Sequence, residues 1–385
     1  MHVLRLIYKN ALRHKLRTAL TVLGIAIAIM AFGLLRAVIG AWYAGVAQAA
    51  PDRLICRSRI SITFDLPVAQ KPKIERIPGV AAVTSGSWFG GIYKDPKNFF
   101  AQIALESVES FRFYPEFIVD SAALAAFASE RNAVIVGEAT MKRFGWKIGD
   151  VIRLQGMIYP GDWDFVIRGI YTGRNPSTDV SQFLLNWNCI DQRMQQEWPA
   201  RAGRVGWWVI KISDPSRAAA ISAAVDREFD NSPDETLTET EAAFQQSYVA
   251  MAGTIVFSLK VISFLVIGII LLVAANTMAM TARERIAEYA VLKTLGFRSG
   301  HLLGLIAGES LLMSVLGAAL GIVILFPVVG GVGAALQAWF PAFLVDPQTY
   351  PMAAVIALLV GGLAAAFPAW RAISVSIVNG LRRIG

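Results

Sequence analysis

Histidine is nearly missing from this chain. Its 385 residues include three, His2, His14 and His301. None of them lies in the long polar segment 42–250, so that segment holds neither a Ser-His-Asp triad nor a histidine-ligated zinc site. Cysteine occurs twice, as Cys56 and Cys189. No G-x-x-x-x-G-K-[ST] phosphate loop occurs, which excludes nucleotide hydrolysis by that route within the sequence. Charge is also scarce: 17% of residues are charged against 55% hydrophobic. Such a chain is too apolar for an ordinary soluble protein and too long to consist of membrane helices alone. A mixed membrane and soluble protein follows.

The formal charge of +8 is unevenly spread. Segment 42–250 carries 22 Lys/Arg against 24 Asp/Glu, and the remainder 14 against 4. Basicity therefore belongs to the flanks of the apolar runs, and the preference of Lys and Arg for cytoplasmic loops accounts for it without nucleic acid. Five Lys/Arg fall in 1–17, four in 283–298 and three after the last apolar run, with none in 327–350. This asymmetry puts both termini and 283–298 in the cytoplasm and 42–250 outside.

Four stretches are apolar enough to cross a bilayer, which takes about 20 residues. The expected organisation is a cytoplasmic amphipathic helix over 1–17, a first transmembrane helix over 18–41, an α+β periplasmic domain over 42–250, and a stalk with the second transmembrane helix over 251–282. A cytoplasmic helix over 283–300, a third transmembrane helix over 301–327, a periplasmic loop over 328–350, a fourth transmembrane helix over 351–369 and a cytoplasmic tail over 370–385 complete it. In 1–17, Arg5, Lys9, Arg13 and Arg17 recur every four residues beside Leu4, Tyr8, Leu12 and Leu16. That pattern is an interfacial helix with its cations toward anionic headgroups. A secretory signal ending near Ala47-Gln48-Ala49 is the competing reading, but the apolar run exceeds the roughly 7–15 residues of such a segment.

Two polar residues interrupt the spans. Asn276, in the second, is costly in lipid and is expected to be satisfied against another helix. Glu309 lies about two turns inside the third. A charge at the bilayer centre costs roughly 2.5–3.5 kcal/mol, so it faces protein or water: either a structural hydrogen bond near 283–298 or a role in substrate passage. Gly317 and Gly321, four apart, form a face suited to close helix packing.

Within 42–250, strand-like and helix-like pieces alternate. Residues 53–64 read as a strand with Leu54, Cys56, Ser58, Ile60, Ile62 and Phe64 on one face. Residues 69–77 and 215–229 read as helices, and 80–85, 99–107 and 207–212 as strands. The best-marked stretch is strand 133–136, helix 138–144, a turn at Gly149-Asp150, and strands 151–154 and 165–170. Residues 235–250 look helical and run directly into the second span. Trp88, Trp146, Trp163, Trp187, Trp198, Trp207 and Trp208 fall in the domain, expected as core or interface anchors, with a lipid-facing surface as the sharper reading for some. An oxidising compartment would permit a disulfide between Cys56 and Cys189, although sequence separation says nothing of their distance in space.

The polar stretch 283–298 reads RERIAEYAVLKTLGFR. Ile286, Tyr289, Leu292 and Leu295 recur at helical steps, Arg285 can reach Glu288, Gly296 sits where a left-handed cap would fall, and Ser299 can cap the start of the next helix. A short capped helix between two spans is a shape another protein can grip; an ordinary solvated loop helix would show the same local pattern. Glu284, Arg285, Glu288, Leu292, Lys293, Leu295 and Gly296 resemble the ER..EIG.LRALG motif that precedes the third membrane helix in MacB/FtsX-type ABC transporter permeases, with Ala290 and Thr294 departing from it. LRHKLRTALTVLGIAIAI (12–29), NAVIVGEATMKRFGWKIGDVIRL (132–154), the run from Glu309 and PAWRAISVSIVNGLRR from Pro368 resemble other parts of the same family; the last departs at Ile377, Asn379 and Gly380.

The resemblance implies a fold of four transmembrane α-helices with a large α+β extracytoplasmic domain between helices 1 and 2. It also implies that 283–296 is the coupling helix that receives a cytosolic ABC ATPase dimer, so that ATP and Mg bind on that separate chain. The protein would then be a non-catalytic subunit of the bacterial inner membrane, paired as a homodimer or pseudo-homodimer. A periplasmic adaptor is compatible with the family. Its motion would export or extract a substrate. The alternative is an FtsX-like signalling permease that regulates a periplasmic protein partner without transport. A membrane-anchored periplasmic enzyme is a third reading, against which the missing histidines count.

Overall fold

The computed structural model describes residues 13, 15–336, 340 and 343–374. Most of the amphipathic pattern of 1–17, and the terminal motif beyond residue 374, lie outside the described residues. The chain divides into two compact units: one runs up to Gly40, over Gly253–Val332 and on from Phe343, and the other comprises Ala41–Ala252 with the segment from Gly333.

Helix α1 (Lys15–Gln48) leads into the α+β unit. There follow β1 (Arg53–Ser58), β2 (Leu66–Pro67), α2 (Lys71–Glu75), β3 (Val80–Trp88), β4 (Gly91–Ile92), β5 (Gln102–Leu105), β6 (Phe117–Val119), α3 (Ser121–Ser129), β7 (Ala133–Gly137) and α4 (Glu138–Phe144). The second half adds β8 (Val151–Gly156), β9 (Gly161–Gly173), β10 (Phe183–Asn186), α5 (Trp187–Glu197), β11 (Arg204–Val205), β12 (Trp207–Ile212), α6 (Ala218–Phe229), β13 (Thr236–Thr240) and α7 (Glu241–Met251). One sheet of 11 strands runs β13-β1-β12-β3-β5-β10-β7-β9-β8-β4, with β6 on β9. Strand β7 lies between β10 and β9, so its AVIVG run is buried on both faces and shows no alternation. Strand β9 alternates, burying Trp163, Phe165 and Ile167. Phe89 meets the Trp163 and Phe165 rings edge-on at 5.6 and 5.5 Å, in an aromatic core where each buried Phe contributes roughly 1.5–3 kcal/mol. Trp146, Trp163, Trp187 and Trp208 are buried, while Trp88 and Trp198 are exposed.

The stretch 132–154 folds as strand, helix, turn and strand in the expected order, with Gly149 at φ +99° and the Lys147 N–H donating to Asp150 at 2.9 Å. Three expectations fail nearby. Strand β1 ends at Ser58 rather than reaching 64, because β12 pairs it only as far as Arg57 and β13 only as far as Ser58. Ile60 and Phe64 are consequently exposed. The helix expected over 235–250 begins only at Glu241: Thr236 and Thr238 alternate as a strand, and their hydroxyls donate to Asp226 on α6. It is not continuous with the second span, since a turn at Ala252 intervenes. The disulfide is absent, and both thiols are free. Cys56 is buried in β1, while Cys189 is half-buried on α5.

The other unit holds α8 (Gly253–Glu284), α9 (Ile286–Thr294), α10 (Ser299–Leu336) and α11 (Thr349–Ser374). Helices α1, α8, α10 and α11 are long and apolar enough to cross a membrane. Helix α10 continues through Pro327 to Leu336, where a loop was expected from 328. Proline is tolerated in such a helix, and the apolar sequence does not stop there. Gly317 and Gly321 pack on α1: a Cβ on Gly317 would lie 2.6 Å from Ile25, and one on Gly321 would lie 2.6 Å from the Ala26 carbonyl oxygen. Helix α8 packs through Ile270 and Ala274 with Ala353, Ala357, Val360 and Ala364 of α11, small residues that allow close approach. Arg36 donates to Asp346 at 3.1 Å.

Candidate coupling site

Between α8 and α10 the chain makes a short, separately capped helix. Arg285 breaks the helix with φ −100° and ψ 11°, and α9 then runs nine residues. Its end is a Schellman turn: Gly296, at φ +91°, donates its N–H to Lys293, and Phe297 donates to Leu292. The next helix includes Ser299 rather than being capped by it. Instead the Arg298 N–H donates to Nδ1 of His301 at 3.2 Å.

The charged half of the motif faces the membrane bundle. Nε of Arg285 donates to Glu288 at 2.9 Å and its Nη1 donates to Glu309 of α10 at 3.0 Å. The Arg285 and Glu309 side chains are 11% and 8% exposed. Arg17 of α1 forks onto Glu284 at 2.6 and 2.9 Å, and Arg13 donates to Glu288 at 2.5 Å. Two arginines four apart thus meet two glutamates four apart in antiparallel order. An unbroken series Arg13, Glu288, Arg285, Glu309 joins the segment before α1 to α9 and α10. Burial raises the proton affinity of Glu288, but the bonds from Arg285 and Arg13 outweigh it and hold the carboxyl below its ordinary range. Tyr289 is buried with Ala282, Leu302, Ile306, Ala365 and Ala369, and Leu292 packs on this cluster. Burial pushes the Tyr289 hydroxyl up to about 12.

Three apolar side chains of the stretch are uncovered. Val291 is 41% exposed, Leu295 70% and Phe297 42%, with Arg283 and Arg298 also exposed beside them. Of the seven predicted positions, Glu284, Arg285, Glu288 and Leu292 therefore anchor the segment, Lys293 is half-buried, Gly296 shapes the turn, and Leu295 alone lies on the open apolar face. Val291 and Phe297 were missed, although Val291 and Leu295 stand one helical turn apart. So were Arg13 and Arg17 as partners, since their stripe had been assigned to lipid. Asn276 does not turn into a helix contact. It is exposed on α8 at the edge of a groove of about 620 Å³ lined by Lys15, Arg17, Leu20, Thr21 and Met280.

Two family models match the sequence: the MacB-like periplasmic core domain over residues 18–228 and the FtsX-like permease C-terminal domain over residues 260–377. The uncharacterized ABC transporter permease protein Rv0987 of Mycobacterium tuberculosis is 27% identical over 208 residues, which are 53% of this chain and 22% of that protein. The chain thus spans about a fifth of the length of this relative. Among solved structures, the periplasmic region of MacB from Actinobacillus actinomycetemcomitans is 9% identical with a TM-score of 0.38, covering 53% of this chain and 95% of that one. The extracellular domain of the noncanonic ABC-type transporter YknZ from Gram-positive bacteria is 10% identical with a TM-score of 0.36, covering 49% and 100%. Because the first family model spans more than half of the sequence and the second most of the remainder, the chain belongs to the MacB/FtsX-type ABC transporter permeases.

Proposed function

We propose that the protein is the permease subunit of a MacB-like ABC transporter, and that it converts nucleotide-driven closure of a separate ATPase dimer into movement of the α+β domain. The reading puts 283–298 and both termini in the cytoplasm, on the strength of the Lys/Arg distribution. One observation carries it. The ion pairs and the Tyr289 cluster secure α9 to the bundle, while Val291, Leu295 and Phe297 stand uncovered. An apolar centre with charge at its rim is the composition of a protein docking site. A rigid attachment behind it lets a push on that face reach α1, α8 and α10 together. Two copies of the permease would sit on two ATPase subunits, and the outer domains would change separation to export or extract cargo.

The test is co-purification of the tagged full chain from native membranes, with ATPase activity measured on the recovered complex. Val291→Asp with Leu295→Asp removes uncovered apolar side chains and leaves Arg13, Arg17, Glu284, Arg285, Glu288 and Glu309 unsubstituted. The expected result is loss of the ATPase by more than tenfold with unchanged yield and unchanged thermal unfolding of the permease. Full recovery of an active ATPase with that double variant would overturn the assignment of the docking face. Whether the wild-type complex is stimulated by a lipid or small molecule, or only by a periplasmic protein, separates transport from signalling.

A further inference from the structure

Both chain connections to the membrane helices leave the α+β unit from the same end of one strand pair. Strand β1 follows α1 after four residues, and β13 leads straight into α7 and then α8. The two strands are antiparallel neighbours in the register Leu54↔Thr240, Ile55↔Glu239, Cys56↔Thr238, Arg57↔Leu237 and Ser58↔Thr236. The next position along the ladder, where both connections depart, sets Arg53 opposite Glu241. Nε of Arg53 donates to Glu241 at 2.8 Å, and the same carboxylate oxygen accepts the backbone N–H of Ala50 at 2.7 Å. Arg53 reaches further: Nη1 donates to the Phe113 carbonyl at 2.7 Å and lies 2.8 Å from Glu116, and the guanidinium sits over the Tyr114 ring at 4.8 Å. The pair is almost out of water, the side chains being 3% and 12% exposed. Behind it, the end of α1 and α7 come so close at Gly45 that a Cβ there would lie 2.9 Å from Gln245.

We infer that Arg53 and Glu241 form a clamp that forces the two membrane connections to move as one body, so that load reaches the sheet through β1 and β13 together. The inference rests on the force-transmission reading above. Its mechanics follow from the register. A load that separates two strands at one end of an antiparallel ladder opens the rungs one after another, beginning with Leu54↔Thr240. The same load applied to both strands together leaves the rungs unstrained and passes through β1 to β12, which pairs with it from Arg53 to Arg57. A buried charge pair at the mouth of the ladder resists the first mode and leaves the second free. Glu241 suits this position because it grips the incoming chain twice, by side chain at Arg53 and by backbone at Ala50. Arg53 and Glu241 are therefore positioning residues.

The structure supplies its own control. Cys56 and Thr238 are directly opposite cross-strand partners. Thr238→Cys therefore places a second thiol across the ladder and offers a covalent clamp in place of the ionic one. The experiment is hydrogen exchange with residue resolution on the full chain in lipid nanodiscs, for wild type, Arg53→Met, Glu241→Gln and the milder Arg53→Lys, each with and without oxidised Thr238→Cys. Exchange at Leu54 and Thr240 should rise at least tenfold in Arg53→Met and Glu241→Gln and by less in Arg53→Lys. The rise should fade toward Ser58 and Thr236, leave β7 and β10 unchanged, and stop at the disulfide, so that Arg57, Ser58 and Thr236 return to wild-type exchange when it is formed. A rise spread evenly over the domain, no rise in β1 and β13, or a rise that passes the disulfide would overturn the clamp. No ATPase is present in this measurement, so its outcome is independent of the coupling assay, and either can fail alone.

Discussion

Replacing Gly321 by alanine tests the packing on which the site depends. The added methyl would lie 2.6 Å from the Ala26 carbonyl oxygen, 0.8 Å short of the 3.4 Å at which ordinary contact begins, and 3.0 Å from Ile29 Cβ. The obstacle is helix backbone, which cannot rotate aside, so α10 and α1 must separate. Overpacking of this kind costs about 1–3 kcal/mol, against at most about 1 kcal/mol gained from the better helix propensity of alanine. The net expectation is a loss of roughly 1–2 kcal/mol. Gly330→Ala, in the same helix with nothing within 4 Å of its added methyl, carries the propensity gain alone and should be neutral or stabilising by up to about 1 kcal/mol. Gly317→Ala meets the Ile25 side chain at 2.6 Å and should fall between them, because a side chain gives way more readily than backbone. Equilibrium unfolding of the full chain in mixed micelles reads the order directly. If Gly321→Ala proves as stable as Gly330→Ala, the close contact of α1 with α10 is wrong, and so is the path by which Arg13 and Arg17 reach Glu288 and Glu284.

Glu288 predicts a pH dependence of definite sign. Its folded carboxyl lies below the ordinary value of 4.5, so the stabilisation it supplies is complete above that pH and lost as pH falls through the depressed folded value. The difference in thermal midpoint between wild type and Glu288→Gln should therefore stay constant from about pH 7 to 5 and close only in stronger acid; closure above about pH 5 would refute the pairing. The two thiols should differ in reactivity. Burial pushes Cys56 up to about 12, and with no exposed surface it should resist maleimide in the native chain. The half-buried Cys189 should label slowly and both should label in denaturant, as peptide mass spectrometry would show.

The spans were legible because length and apolarity suffice to define them, and the stretch 132–154 because its helix and its turn carry their own signals. The Gly317 and Gly321 face needed only spacing. The errors share a different cause. The end of β1 is set by where β12 and β13 stop, information that lies about 150 and 180 residues away in the chain. Strand β13 was misread because a run of alternating threonines is short, and the helix after it lent its period to the whole window. The extension of α10 past Pro327 was masked by a rule taken from soluble helices, where proline usually ends the pattern.

At the candidate site, periodicity placed the helix correctly and said nothing of which face turns inward. In a soluble amphipathic helix the apolar stripe is buried and the charged one exposed; here Tyr289, Ala290 and Leu292 keep that order, while the buried Arg285 and the exposed Val291, Leu295 and Phe297 break it. Glu284, Arg285 and Glu288 point at Arg17, Glu309 and Arg13, while Val291, Leu295 and Phe297 face outward. Glu284, Glu288, Val291 and Leu295 recur at three- and four-residue steps, as do Arg285, Tyr289 and Leu292, so spacing alone cannot choose which stripe turns inward. The choice is made by the charges on α1 and α10. A carboxylate that already has a cation four residues in register gains more by facing it than by facing water, and Glu309, inside an apolar helix, needs a cation from somewhere. Once those pairs form, Val291 and Leu295 are left on the open side, where each square ångström of apolar surface costs about 25 cal/mol until something covers it. The same ion pairs that hold α9 to the bundle therefore create the surface that a partner can bind, and loosening the first should weaken the second.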